Sequence, residues 1–212
     1  GIAQMEWARL AAIVTDAGSF WRVRSSLNIG NSSGGNRLVV SNGASLFDDG
    51  ATIGLSGTNN EALVTGPGTV WTNRIAISVG QLRGHNRLVI SDGAFVLAGD
   101  AFVSSHPDST NNRVVVQGGT LLVTNTTGGV GALDVRRGTN VLNAGLIDAA
   151  RLWVTNTLGQ FEFNGGKLVT SGTAIGNGRV FTVGNGASAA TFELRGGTHS
   201  FANNLVIAGN AS

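Results

Sequence analysis

Apolar and polar positions along this chain fall into short runs with polar ends. Four of them are Arg37-Leu38-Val39-Val40-Ser41, Glu61-Ala62-Leu63-Val64-Thr65, Arg87-Leu88-Val89-Ile90-Ser91 and Arg113-Val114-Val115-Val116-Gln117. Runs of this length, rich in β-branched and aliphatic residues and bounded by Gly, Asn and Ser, predict strands. No apolar run reaches the ~18 residues of a membrane helix. Glycine is costly inside helices, and its spread along the chain points to an all-β, turn-rich protein.

The runs repeat. Val14-Thr15-Asp16-Ala17-Gly18-Ser19-Phe20-Trp21 matches Val64-Thr65-Gly66-Pro67-Gly68-Thr69-Val70-Trp71, and Asn36 to Ala44 matches Asn86 to Ala94. A period of half that length lies inside, because Asn36, Asn60, Asn86 and Asn112 each precede a charged residue and an aliphatic triplet. Each unit of about 25 residues reads as three short strands, such as Ser26 to Ile29, Arg37 to Ser41 and Ala44 to Phe47. Strands this short cannot pair usefully within one unit, but stacked units pair at every level. The predicted fold is a right-handed parallel β-helix (β-solenoid), the hand following from the crossover rule. Residues 1–13 are read as an N-terminal cap or the end of a preceding coil. Residues 14–123 form the regular coils, and residues 124–212 continue them less regularly.

Stacking converts sequence positions into columns. Asn36, Asn60, Asn86 and Asn112 are expected to form a structural ladder at one corner, since Asn tolerates left-handed backbone and its amide both donates and accepts. Arg37, Glu61, Arg87 and Arg113 form an ion-pair column beside it, with the like-charged Arg87–Arg113 step calling for a displaced geometry. Trp21, Leu46, Trp71, Val96 and Leu122 are expected in the core. Leu38/Ala62/Leu88/Val114 and Val40/Val64/Ile90/Val116 also point inward, so Val39, Leu63, Val89 and Val115 must point outward. That leaves an aliphatic stripe on the surface, a candidate interface. The run Leu205-Val206-Ile207 is a second one, because an apolar strand edge is a template for another chain.

Composition narrows the chemistry. There are 33 glycines and 2 prolines in 212 residues, without collagen periodicity. Net charge is only +2 and charged residues are 12%, which argues against nucleic-acid binding. No cysteine is present, which removes disulfides and thiol chemistry.

The elements V-T-x-x-G-[ST]-x-W (Val14 to Trp21, Val64 to Trp71), Ile29-Gly30, Ile53-Gly54, Val79-Gly80, and L-V-[IV]-S-[ND]-G (Leu38 to Gly43, Leu88 to Gly93) resemble the repeat of bacterial autotransporter (type V secretion) passengers and PEP-CTERM surface proteins. Phe161 to Gly166 and Phe192 to Asn203 resemble autotransporter-like chains as well. The resemblance implies a secreted or cell-surface β-helix that is part of a longer polypeptide. It implies no reaction.

No catalytic set emerges from the residues. The histidines, His85, His106 and His199, lack metal-ligand spacing. Asp48-Asp49 is the one acidic pair, and Asp48, Asp49, Arg74 and Asp100 are placed near one level by the period. If a cation such as calcium is held anywhere, Asp48, Asp49 and Asp100 are the candidates. The leading expectation is a non-enzymatic extracellular structural β-helix, a stalk, adhesin or filament subunit, with no cofactor. Its partners would be copies of itself, further coils of a longer chain, or surface glycans. The alternative is a carbohydrate-binding or polysaccharide-cleaving β-helix domain.

Overall fold

The computed structural model describes residues 9–124 and 130–207; these form strands, turns and bends, with no helix. The first coil holds β1 (Ala11–Val14), β2 (Phe20–Arg22) and β3 (Ser26–Ile29). The next three are β4 (Arg37–Ser41) with β5 (Ser45–Ile53), β6 (Glu61–Thr65) with β7 (Val70–Val79), and β8 (Arg87–Ser91) with β9 (Phe95–Val103). There follow β10 (Arg113–Val123) with β11 (Ala132–Val135), and β12 (Thr139–Ala149) with β13 (Arg151–Val154). The last two are β14 (Gln160–Phe163), β15 (Gly166–Thr170) and β16 (Thr173–Ile175), then β17 (Phe181–Val183), β18 (Ala190–Leu194) and β19 (His199–Phe201). β20 (Leu205–Ile207) pairs with β17 and opens one more level.

Every pairing is parallel and joins one coil to the next. The chain is a β-solenoid of about eight turns with three faces. The first face runs β1-β4-β6-β8-β10-β12-β14. The second runs β2-β5-β7-β9-β10-β12-β15-β18, and the third runs β3-β5-β7-β9-β11-β13-β16-β19. The long strands β5, β7 and β9 turn the corner between the second and third faces without a loop. Register shifts at Asp48/Gly50 and Asn73/Ala76 mark that corner in β5 and β7.

The core is the inside of this triangle. Leu38, Val40, Ala62, Val64, Leu88, Ile90, Val114 and Val116 are buried on the first face. Leu46, Trp71, Val96 and Leu121 align on the second. Leu121, not Leu122, continues this column, and Leu122 points outward. The left-handed turn glycine equivalent to Gly93 is Gly118, since the turn that follows β8 is one residue longer than the bend inside β10. In the last coils Phe161, Phe163, Phe181, Phe192 and Phe201 fill the interior, with ring centroids 5.5–6.3 Å apart.

Strand β1 begins at Ala11, and the Arg37 N–H donates to the Leu10 carbonyl at 2.8 Å, so the stack reaches into the segment read as a cap or the end of a preceding coil. Residues 1–8 of that segment lie outside the described residues. The first-face register advances by 24 residues (Arg37 to Glu61), then by 26 for each of the next three coils (Arg87, Arg113, Thr139), and by 21 to Gln160. That coil is therefore shorter, and the advance returns to 24 residues from Gly166 to Ala190 and 26 from Thr173 to His199. The corner between the third and first faces also varies in length, with five residues between Val154 and Gln160. That corner spans seven residues between Ile29 and Arg37, and three between Val135 and Thr139.

Candidate functional site

The long corner holds the densest polar arrangement in the molecule. In each of four coils a residue in the left-handed region, Gly35, Asn59, His85 or Asn111, precedes a buried asparagine. The Oδ1 of Asn60 accepts both the backbone N–H and the side-chain amide of Asn36, each at 2.9 Å. Asn86 accepts the same pair from Asn60 at 3.0 Å, and Asn112 from Asn86 at 2.8 and 3.1 Å. The remaining amide hydrogens go to loop carbonyls, as in Asn86 Nδ2 to Arg83 and Gly84 at 3.2 and 3.1 Å. The ladder anticipated for Asn36, Asn60, Asn86 and Asn112 is formed.

Room for the ladder comes from a second column. Gly30, Gly54 and Gly80, at φ between +74° and +79°, lie against the amides of Asn60, Asn86 and Asn112. A Cβ on any of these glycines would overlap the asparagine of the following coil. The fourth position in that column is Ser104, also left-handed at φ 63°, and the residue above it is Gly138 instead of Asn. The space left by the missing asparagine takes the Ser104 hydroxyl, which accepts from Asn112 Nδ2 at 2.9 Å and closes the ladder.

Beside the ladder, Arg37 Nε meets Glu61 at 2.9 Å, and Arg87 meets the other oxygen of the same carboxylate. Burial raises the Glu61 pKa, and the Arg87 and Arg37 guanidiniums outweigh it, so the carboxyl stays below the usual range. Arg113 keeps its place in the column by register, and its guanidinium pairs with Glu162 at 3.1 Å. Stacked directly on Arg87 it would face a like charge, and Glu162, two coils on, supplies the opposite one.

The acidic candidates do not converge. Asp48 points inward and is fully buried, accepting from Trp71 Nε1 at 2.6 Å and from the Asn73 amide. Asp49 points outward to Arg74 Nε at 2.7 Å, and this hydrogen bond holds its carboxyl below the usual range. Asp100 accepts the Ala132 N–H at 2.7 Å. The wall of the solenoid thus separates Asp48 from Asp49, and the three carboxylates considered for a cation are separately engaged. Among the described residues no group of three or more His, Asp or Glu side chains is arranged to hold a metal ion. Burial pushes the Asp48 carboxyl up to about 6, against the Trp71 and Asn73 hydrogen bonds that pull it down.

A second buried amide was not foreseen from the sequence. Asn140 occupies the inward column between Val114 and Phe161, fully buried, with neither amide atom partnered. An unsatisfied buried amide is costly. Asn140→Leu keeps the branching and removes the polar atoms; it is expected to raise stability by about 1–2 kcal/mol, read as a higher urea midpoint.

An open cleft of about 440 Å³ lies across the second-to-third-face corner. Arg24, Asp49, Thr52, Ser78 and Gln81 give it polar walls, and Ile75 and Phe102 apolar ones. The stripe of Val39, Leu63, Val89 and Val115 lies outward on the first face, half-buried. Leu205, Val206 and Ile207 form β20, with Ile207 80% exposed. Among the described residues no helix is long and apolar enough to cross a membrane. No family model, curated protein or solved structure matches the chain.

Proposed function

We propose that this chain is a non-enzymatic structural β-helix of the bacterial exterior, serving as part of a stalk, adhesin or filament. The observation that carries this reading is the use of the polar columns. Asn36 to Asn112, Arg37 to Arg87, and Asp48 with Asn73 bind neighbouring coils of the same chain. Such groups stiffen a rod, because each is satisfied by the next level of the stack. The extracellular placement rests on the resemblance of the Val14–Trp21, Val64–Trp71 and Leu88–Gly93 elements to surface-protein repeats. Further coils of a longer chain, or copies of this one, are its partners in this reading.

The cleft at Phe102 favours a second reading, a glycan-binding face. An apolar wall beside hydroxyl, amide and charged groups suits the two sides of a sugar ring. One experiment separates the readings. Antibody against this chain is expected to label intact, unpermeabilised source cells, and the purified chain to release no reducing ends from acidic polysaccharides. Labelling only after permeabilisation would refute the surface role. Glycan-array binding that Phe102→Ala abolishes would favour the second reading.

A further inference from the structure

The first face carries an apolar stripe longer than the one read from sequence. The registers place Ile13, Val39, Leu63, Val89, Val115 and Val141 in one outward column over six successive levels. Ile13 is 65% exposed, the next four are half-buried, and Val141 at the sixth level is buried, so the exposed stripe spans five levels. At the seventh level the column is taken by Glu162, which pairs with Arg113 and closes the stripe with charge. No core need accounts for this column, because the residues on either side of it already point inward.

The two rims of the stripe differ in charge. One rim is Arg37, Glu61, Arg87 and Arg113. The other is the hydroxyl and amide row Thr15, Ser41, Thr65, Ser91 and Gln117, with Asp16 and Asp92 just beyond it at the corner. Asp92 is anchored there by Thr65 Oγ1 at 2.9 Å and Ser91 Oγ at 2.8 Å, so its carboxylate is held in place at the edge of the face.

We propose that two copies of this chain pair face to face through this stripe, about a two-fold axis parallel to the solenoid axis. An isologous contact sets each patch against itself. With the axis in this direction every level meets its own counterpart: Val89 lies over Val89 of the second copy, and each copy's Arg87 faces the other's Asp92. Arg37 then meets Ser41 and Asn42, and Arg113 meets Gln117. A two-fold axis along the strands would instead set the arginine rim on the arginine rim, which electrostatics opposes. Five exposed levels ~4.8 Å apart and five residues of ~3.3 Å give about 400 Å² per copy, near 800 Å² in total, the size of a weak contact. The rim side chains add to this, and the pairing is accordingly weak and concentration-dependent.

The pairing deepens the structural reading by naming the contact through which copies would associate, and it stands or falls on solution behaviour, independently of where the chain resides. The test is sedimentation equilibrium with a charge exchange between two variants. The wild-type chain is expected to dimerise in the micromolar range, and Val89→Lys to weaken association at least tenfold. Asp92→Arg alone puts Arg against Arg, and Arg87→Asp alone puts Asp against Asp, so each alone is expected to be monomeric. Mixed, the two restore opposite charges on both sides of the axis and are expected to form a heterodimer. A wild-type chain that stays monomeric at several hundred micromolar overturns the proposal. So does association unchanged by Val89→Lys, or a mixture that remains monomeric while each variant keeps the wild-type urea midpoint. Loss of cell-surface labelling would refute the surface role and leave this result untouched.

Discussion

Gly54→Ala is expected to lower the stability of this chain by about 3–5 kcal/mol, from left-handed strain together with overpacking. Gly54 sits at φ 77°, where a Cβ is itself unfavourable, and that Cβ would overlap the Asn86 amide of the next coil. Neither partner has an easy way to yield. Asn86 is fixed by Asn112 on one side, by Asn60 on the other, and by carbonyls of Arg83 and Gly84 in its own loop. Displacing it would strand buried donors and acceptors. The same argument applies to Gly30 and Gly80. It does not apply to Gly18, which has nothing within 4 Å of an added Cβ, so Gly18→Ala serves as the control for left-handed strain alone. Equilibrium urea unfolding of both variants checks the expectation.

Asp48→Asn is expected to stabilise the chain at neutral pH and to leave it nearly unchanged in acid. Burial raises the Asp48 pKa from 3.8 to about 6 in the folded chain. A carboxyl with a raised folded pKa favours the fold in its protonated form. Its contribution is complete below about pH 4 and is lost as pH rises through about 6. A shift of this size corresponds to about 3 kcal/mol of wild-type stability by pH 7.5. Asparagine at 48 stays neutral throughout, keeps an oxygen for the Trp71 N–H, and offers an N–H to the unpartnered Asn73 oxygen. The expected result is a gain approaching that value at pH 7.5 and little difference at pH 4. Because the other titrating groups are common to both proteins, the difference isolates Asp48. A variant less stable than wild type at pH 7.5 would mean that the carboxylate is the favoured form.

Much of the architecture was legible in the sequence because a stacked coil writes each contact as a repeat. The spacing of Asn36, Asn60, Asn86 and Asn112 gave both coil length and ladder, and the parity of Leu38, Val39 and Val40 separated inside from outside. The three Gly–Asn distances, Gly30 to Asn36, Gly54 to Asn60 and Gly80 to Asn86, are all six residues. That shared interval was a usable sign that the two columns interlock, although which coil each glycine faces required the register. The later coils are harder to place because a glycine there does not always mark the same turn. Gly138 lies in the asparagine column, not at the turn that Gly93 occupies, so counting between them mixed two corners.

The acidic cluster was misplaced for a different reason. Period alone sets the level of a residue and says nothing about which side of the wall it takes at a corner. At Asp48-Asp49 the side is set by strand alternation, which runs from inward Leu46 to inward Asp48 and outward Asp49. Asn140 illustrates the reverse case. Its column was identifiable, but an amide in an otherwise apolar column gives no sequence sign of being left unpartnered.

The central claim is that the coils are locked together by asparagine side chains seated on glycines one coil away. A double-mutant cycle between Gly54→Ala and Asn86→Ala tests it directly. In the Asn86→Ala background the amide that an alanine at 54 would strike is gone, so the cost of Gly54→Ala is expected to fall to the strain term of about 1–2 kcal/mol. The predicted coupling is about 1.5 kcal/mol or more between residues 32 positions apart in sequence. Costs that simply add, to within about 0.5 kcal/mol, would contradict the interlock and the register on which it depends.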